Sequence, residues 1–133
     1  MKILVAKSAG YCFGVRDAVK IAYETSKNEG DVYMLGTIVH NERVVDDLSK
    51  SGAKVVNELE AVPKDKPILF RAHGTAPQVW EKAKEKNMKV VDATCPLVIE
   101  IHEEIKKLES EGRRTIIIGD HGHDEVEGIA AQV

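Results

Sequence analysis

Short apolar runs alternate along this chain with longer stretches in which apolar residues recur every three or four positions. A continuous apolar run suits a strand buried on both faces, and a 3.6-residue recurrence suits a helix with one buried stripe. Lys2–Ala6 (KILVA) reads as a buried strand. From Val15 to about Ser26, residues Val15, Ala18, Val19 and Ala22 share one helical face, and Gly30 stops that helix. Val32–Leu35 (VYML) is a second strand, and Val44, Val45 and Leu48 mark a helix from about Asn41 to Ser49. Lys54–Val56 makes a short strand, PKDKP a surface turn, and Pro67–Phe70 (PILF) another strand. The helix after Pro77 carries Val79, Trp80 and Ala83, with Trp80 expected in the core. Lys89–Val91, a helix from Pro96 to about Glu109, and Thr115–Ile118 (TIII) complete the series.

Strands alternating with helices predict an α/β fold of repeated β/α units with parallel sheets. A chain of 133 residues can bury one core. Its 43% hydrophobic and 31% charged residues exclude a disordered polymer. No apolar run reaches membrane-span length, and the apolar start is too short for a signal peptide, so no membrane partner is expected. A net charge of −3 without any Lys/Arg cluster argues against a nucleic-acid partner. Two cysteines without an export signal point to a reducing cytoplasm, where thiols more often react or ligate metal than pair.

The reactive residue types fall at strand exits, where open parallel sheets bind ligands. Cys12 follows KILVA, His40 follows VYML, His73 follows PILF, Cys95 follows KVV, and His121 and His123 follow TIII. Pro96 fits the first position of a helix and makes Cys95 its N-cap, and Cys12 lies shortly before another helix start. The partial positive charge at such termini favours the thiolate, the form that ligates metal or attacks. Each cysteine could equally be a small buried hydrophobe. Imidazoles gathered around helix N-termini suit an anion such as phosphate, although any single loop histidine could be structural. His102, among Glu100, Glu103 and Glu104, is expected on a solvated surface. Glu125 could supply protons beside a bound substrate, with Asp120, Asp124 and Glu127 as competing acids. Arg71 could pair with an anion or with a carboxylate of the loop.

Five stretches in order carry a resemblance: GYCFGV with Arg16, VHN (Val39–Asn41), RAHG (Arg71–Gly74), VDATCPLV (Val91–Val98) and GHDEVEG (Gly122–Gly128). With them the chain resembles the N-terminal part of the 4-hydroxy-3-methylbut-2-enyl diphosphate reductase family. That resemblance implies a three-domain, trefoil-like arrangement of α/β domains around a [4Fe–4S] cluster held by one cysteine from each domain. Residues 1–94 would form the first domain and 95–133 the incomplete start of the second, with the third absent. Cys12 and Cys95 would be two cluster ligands, and an iron without a protein ligand would bind the substrate hydroxyl. His40, His73 and His123 would contact the substrate diphosphate, and Glu125 would deliver protons. The implied reaction is reductive dehydroxylation to isopentenyl and dimethylallyl diphosphate, with electrons from ferredoxin or flavodoxin.

The family commonly has proline where this chain has Asp124, which bears on the loop that holds Glu125. The third cysteine has no counterpart here, so these residues alone are expected neither to hold an intact cluster nor to turn over substrate. The last apolar run ends at Ile118 and the chain at Val133, which fits the front part of a longer protein. Such a piece is expected to expose apolar strand edges and to dissolve poorly. A metal-dependent hydrolase is the first rival, because DHGHDE (Asp120–Glu125) approaches an H-x-H-x-D motif around His121 and His123. A non-catalytic α/β domain is the second. A dithiol switch lacks a C-x-x-C pair.

Overall fold

Strands β1 (Val32–Leu35), β2 (Ala53–Val56), β3 (Ile68–Phe70) and β4 (Val90–Asp92) form one parallel sheet in the order β2-β1-β3-β4. The structure is a computed structural model that describes residues 1–133. Tyr33 pairs in register with Lys54 on one side and Ile68 on the other, and Leu69 pairs with Val91. Five helices accompany the sheet: α1 (Phe13–Glu29), α2 (Glu42–Lys50), α3 (Pro77–Glu85), α4 (Pro96–Ser110) and α5 (Asp124–Ala130).

The period-two alternation of side chains divides the core between the two faces of the sheet. Val32 and Met34 of β1 and Leu69 of β3 pack with Ala18, Ala22 and Leu48. Ile68 and Phe70 of β3 point the other way and pack with Leu59, Val62 and Ala83. All three residues of β3 are therefore buried, as expected of a central parallel strand. Each large apolar side chain buried this way contributes about 1.5–3 kcal/mol through its removal from water. Local signals set the helix ends. The Asn41 side chain accepts the Val44 N–H at 3.1 Å, and prolines open α3 and α4. The Gly30 N–H donates to the Ser26 carbonyl at 3.1 Å where α1 ends.

The strand order matters for function. From β1 the chain moves outward to β2, and from β3 it moves outward the opposite way to β4. The direction of winding thus reverses between β1 and β3, and ligands bind beyond the strand ends at such a reversal.

Several expectations need correcting. Lys2–Ala6 and Thr115–Ile118 form no strand, and Ile3, Leu4, Val5, Ile116 and Ile118 lie in solvent. Their composition suits a strand, but a ladder needs a neighbour, and none of the four strands pairs with either segment. Trp80 is not enclosed in the core. It sits at the rim, edge-on to Phe70 with ring centroids 4.7 Å apart. His102 is buried rather than solvated. It lies four residues after Val98 and three before Ile105, both buried, so helical geometry carries it to the inner face of α4. Helix α5 was not anticipated, although three acidic residues in its first turn are a start signal.

Candidate functional site

Backbone hydrogen bonds continue the sheet pairing past the ends of the strands. The Ala72 N–H donates to the Ile38 carbonyl at 3.2 Å, and the Cys95 N–H donates to the Ala72 carbonyl at 2.9 Å. These two bonds align the exits of β1, β3 and β4, so the loops with His40, His73 and Cys95 stand side by side at the winding reversal. The His40 and His73 rings stack with centroids 4.3 Å apart. His123, the N-cap of α5, brings a third ring to 5.3 Å from His40 and 6.2 Å from His73.

Each ring is held differently. The Nδ1 of His123 accepts the Glu125 N–H at 3.3 Å, which leaves Nε2 as the position for its proton. His73 is half-buried, and its Nδ1 is covered without a hydrogen-bond partner. Burial, then the nearby His40 and Arg71, push the His73 pKa below its usual 6.5, while Asp124 and Glu125 oppose the fall. His40 is exposed beside a shallow cleft lined by Thr37, Asn41 and Asp46. His121 is exposed and takes no part in the stack.

Glu125 lies half-buried in the first turn of α5, and its charge acts on both His73 and His102. His102 was missed by sequence reasoning. Burial first, and Lys106 second, lower its pKa, and its Nε2 is covered and unpaired. Gly74 faces it directly: a Cβ there would stand 2.7 Å from the His102 ring, and its φ of +86° already favours glycine. His102 is thus a wall behind the RAHG loop.

The cysteines cap neighbouring helices. Cys12 is the N-cap of α1 and is exposed; Cys95 is the N-cap of α4 and half-buried, and both are free thiols. The Cys95 sulfur occupies the space that a Cβ at Gly14 would need, two residues beyond Cys12. The absence of a side chain at residue 14 therefore lets the N-terminus of α4 pack against the first turn of α1.

Arg71 Nη1 lies 2.7 Å from Asp124 Oδ1, so Arg71 pairs with the first carboxylate of α5. Donor atoms of His40, His73 and Asp124 lie within 4.8 Å of one another, a spacing that invites a metal ion. The guanidinium on Asp124 opposes that use, since a dication would sit beside a fixed positive charge. The three imidazoles, with N–H groups to donate, suit an anion better.

The chain matches the family model described as LytB protein over residues 3–133. It belongs to the LytB protein family. Among curated LytB relatives, the 4-hydroxy-3-methylbut-2-enyl diphosphate reductase of Clostridioides difficile (strain 630) is 41% identical over 130 residues, covering 97% of this chain and 47% of that protein. The enzyme of the same name from Wolbachia pipientis wMel is 42% identical over 137 residues, covering 100% of this chain and 44% of its own length. A solved structure of the E-1-hydroxy-2-methyl-but-2-enyl-4-diphosphate reductase from Plasmodium falciparum superposes with a TM-score of 0.91 at 35% identity, over 95% of this chain and 40% of that one. A second structure, of (E)-4-hydroxy-3-methyl-but-2-enyl diphosphate reductase, described as the terminal enzyme of the non-mevalonate pathway, gives 0.83 at 37% identity, over 98% and 46%. The α/β fold with a parallel sheet is thus the LytB fold, and the chain spans less than half the length of these relatives.

Proposed function

We propose that this chain supplies the diphosphate-binding and part of the cluster-binding half of an iron–sulfur reductase acting on 4-hydroxy-3-methylbut-2-enyl diphosphate. The observation that carries the reading is the convergence of His40, His73 and His123 at the winding reversal. The imidazole N–H groups donate to phosphoryl oxygens, and His73 does so through Nε2, since its Nδ1 is covered. Glu125, in the first turn of α5 and two residues after His123, is the carboxyl group assigned to proton delivery beside a substrate whose diphosphate rests on His123.

The donor set fits a [4Fe–4S] cluster in part. Two soft sulfur ligands on adjoining helix N-termini suit iron–sulfur ligation, and the chain holds no third cysteine. Cys12 and Cys95 would be the ligands. When bound, the cluster supplies electrons from a ferredoxin- or flavodoxin-type donor and a Lewis-acidic iron for the substrate oxygen. Residues 95–133 would begin a second domain, and the setting is cytoplasmic. No helix is long and apolar enough to cross a membrane.

The test is a chimera in which this chain replaces the matching 130 residues of the Clostridioides difficile relative. The chimera should reduce 4-hydroxy-3-methylbut-2-enyl diphosphate, and Cys12→Ser or Cys95→Ser should abolish both activity and the cluster absorbance. A folded chimera that is inactive, or a serine variant that keeps its cluster, would overturn the reading.

A further inference from the structure

Helix α5 carries His123 and Glu125 into the site, yet its approach is not paired with the sheet. The preceding residues form no strand, and Ile116 and Ile118 are exposed. The helix must therefore be located by contacts of its own. At one end Gly128 lies against the His73 carbonyl, 3.4 Å from where its Cβ would stand. At the other end stands Asp124, flanked in sequence by His123 and Glu125 and bound to Arg71 at 2.7 Å. Both partners are about three-quarters covered, with 24% and 26% of their side-chain surfaces exposed. Arg71 is itself confined, because its guanidinium crosses Gly36 so closely that a Cβ there would meet Nη1 at 2.7 Å.

We propose that the Arg71–Asp124 ion pair is the positioning contact that sets His123 and Glu125 against His40 and His73. The proposal deepens the diphosphate reading and rests on it for its functional consequence. Arg71 touches the exit of β1 through Gly36, lies two residues before His73 at the exit of β3, and grips the first residue of α5. One side chain thus indexes all three imidazole-bearing segments. Neither residue needs to touch the ligand.

Charge and position make opposite predictions, which renders the pair testable. Asp124→Asn removes a negative charge beside an anion pocket, so electrostatics alone would tighten anion binding. Loss of a positioning contact loosens it. Inorganic pyrophosphate is titrated into the parent chain, into Asp124→Asn, and into the exchanged pair Arg71→Asp/Asp124→Arg, followed by the histidine ring resonances. Asp124→Asn should weaken binding about ten-fold, equivalent to about 1.4 kcal/mol. It should also erase the through-space contact between the rings of His123 and His40 while leaving the His40–His73 contact in place. The exchanged pair should recover both. Equal or tighter binding by Asp124→Asn with the His123–His40 contact intact would overturn the proposal. So would an exchanged pair that recovers neither. A parent chain that ignores pyrophosphate would sink the diphosphate reading instead, and the ring contacts of the parent and Asp124→Asn would still decide whether the pair positions α5.

Discussion

Ile68–Phe70 and Ile116–Ile118 are equally apolar triplets, yet the first is wholly buried while Ile116 and Ile118 stand in solvent. The difference lies in neighbours rather than composition. β3 finds β1 and β4 in register on its two edges and a packed cluster on each face. The isoleucine run finds no strand to donate to, so its intrinsic preference goes unused. The same holds for Ile3, Leu4 and Val5. An apolar run is an offer of a strand, and the fold accepts only those offers with a partner.

The widest gap between the two regions should show in stability. Phe70→Ala should cost about 3–5 kcal/mol in a denaturant melt, as expected for truncating a fully buried aromatic. Ile118→Ser should stay within about 0.5 kcal/mol of the parent. A large loss at Ile118 would show that the flank is buried in solution. Next in size, Gly74→Ala should cost about 1–3 kcal/mol, because the residue combines a positive φ with the His102 ring in its path. The same variant with His102→Ala should recover part of that loss, and full additivity would break the assigned contact.

Acid should distinguish the site from the rest more gently. His73 and His102 both have pKa values lowered chiefly by burial, so the unfolded chain binds more protons than the folded one. Their contribution to stability is whole above the usual 6.5 and is lost as pH falls toward the lowered folded values. Thermal melts between neutral and mildly acidic pH should show this fall. His73→Gln and His102→Gln should flatten it, and an unchanged slope would refute the linkage. The smallest effect is kinetic. Under a limiting alkylating agent, exposed Cys12 should be modified before half-buried Cys95, as read by peptide mass spectrometry.

Much of this was legible in the sequence. Apolar patterning gave the four strands to within a residue at each end and located the first four helices, with α1 running two residues earlier and three later than expected, because those segments pair or pack as their patterns require. The strand-exit rule holds for His40, His73 and Cys95, which follow β1, β3 and β4, whereas Cys12 and His123 follow segments that form no strand and reach their places as the N-caps of α1 and α5. His102 was misread because its charged neighbours in sequence lie on another face of the helix from Val98 and Ile105. The role of Arg71 was undecidable in one dimension, since its partner Asp124 is distant in sequence and meets it only when α5 docks. Likewise, nothing in the Gly14 neighbourhood announces that the Cys95 sulfur fills the space beside it.

The central claim is that the winding reversal gathers three imidazoles into one anion pocket. Pyrophosphate titration of the parent chain, followed through its histidine ring signals, tests it most directly. His40, His73 and His123 should shift together along one saturation curve while His121 stays still. Shifts confined to one ring, or led by His121, would contradict it.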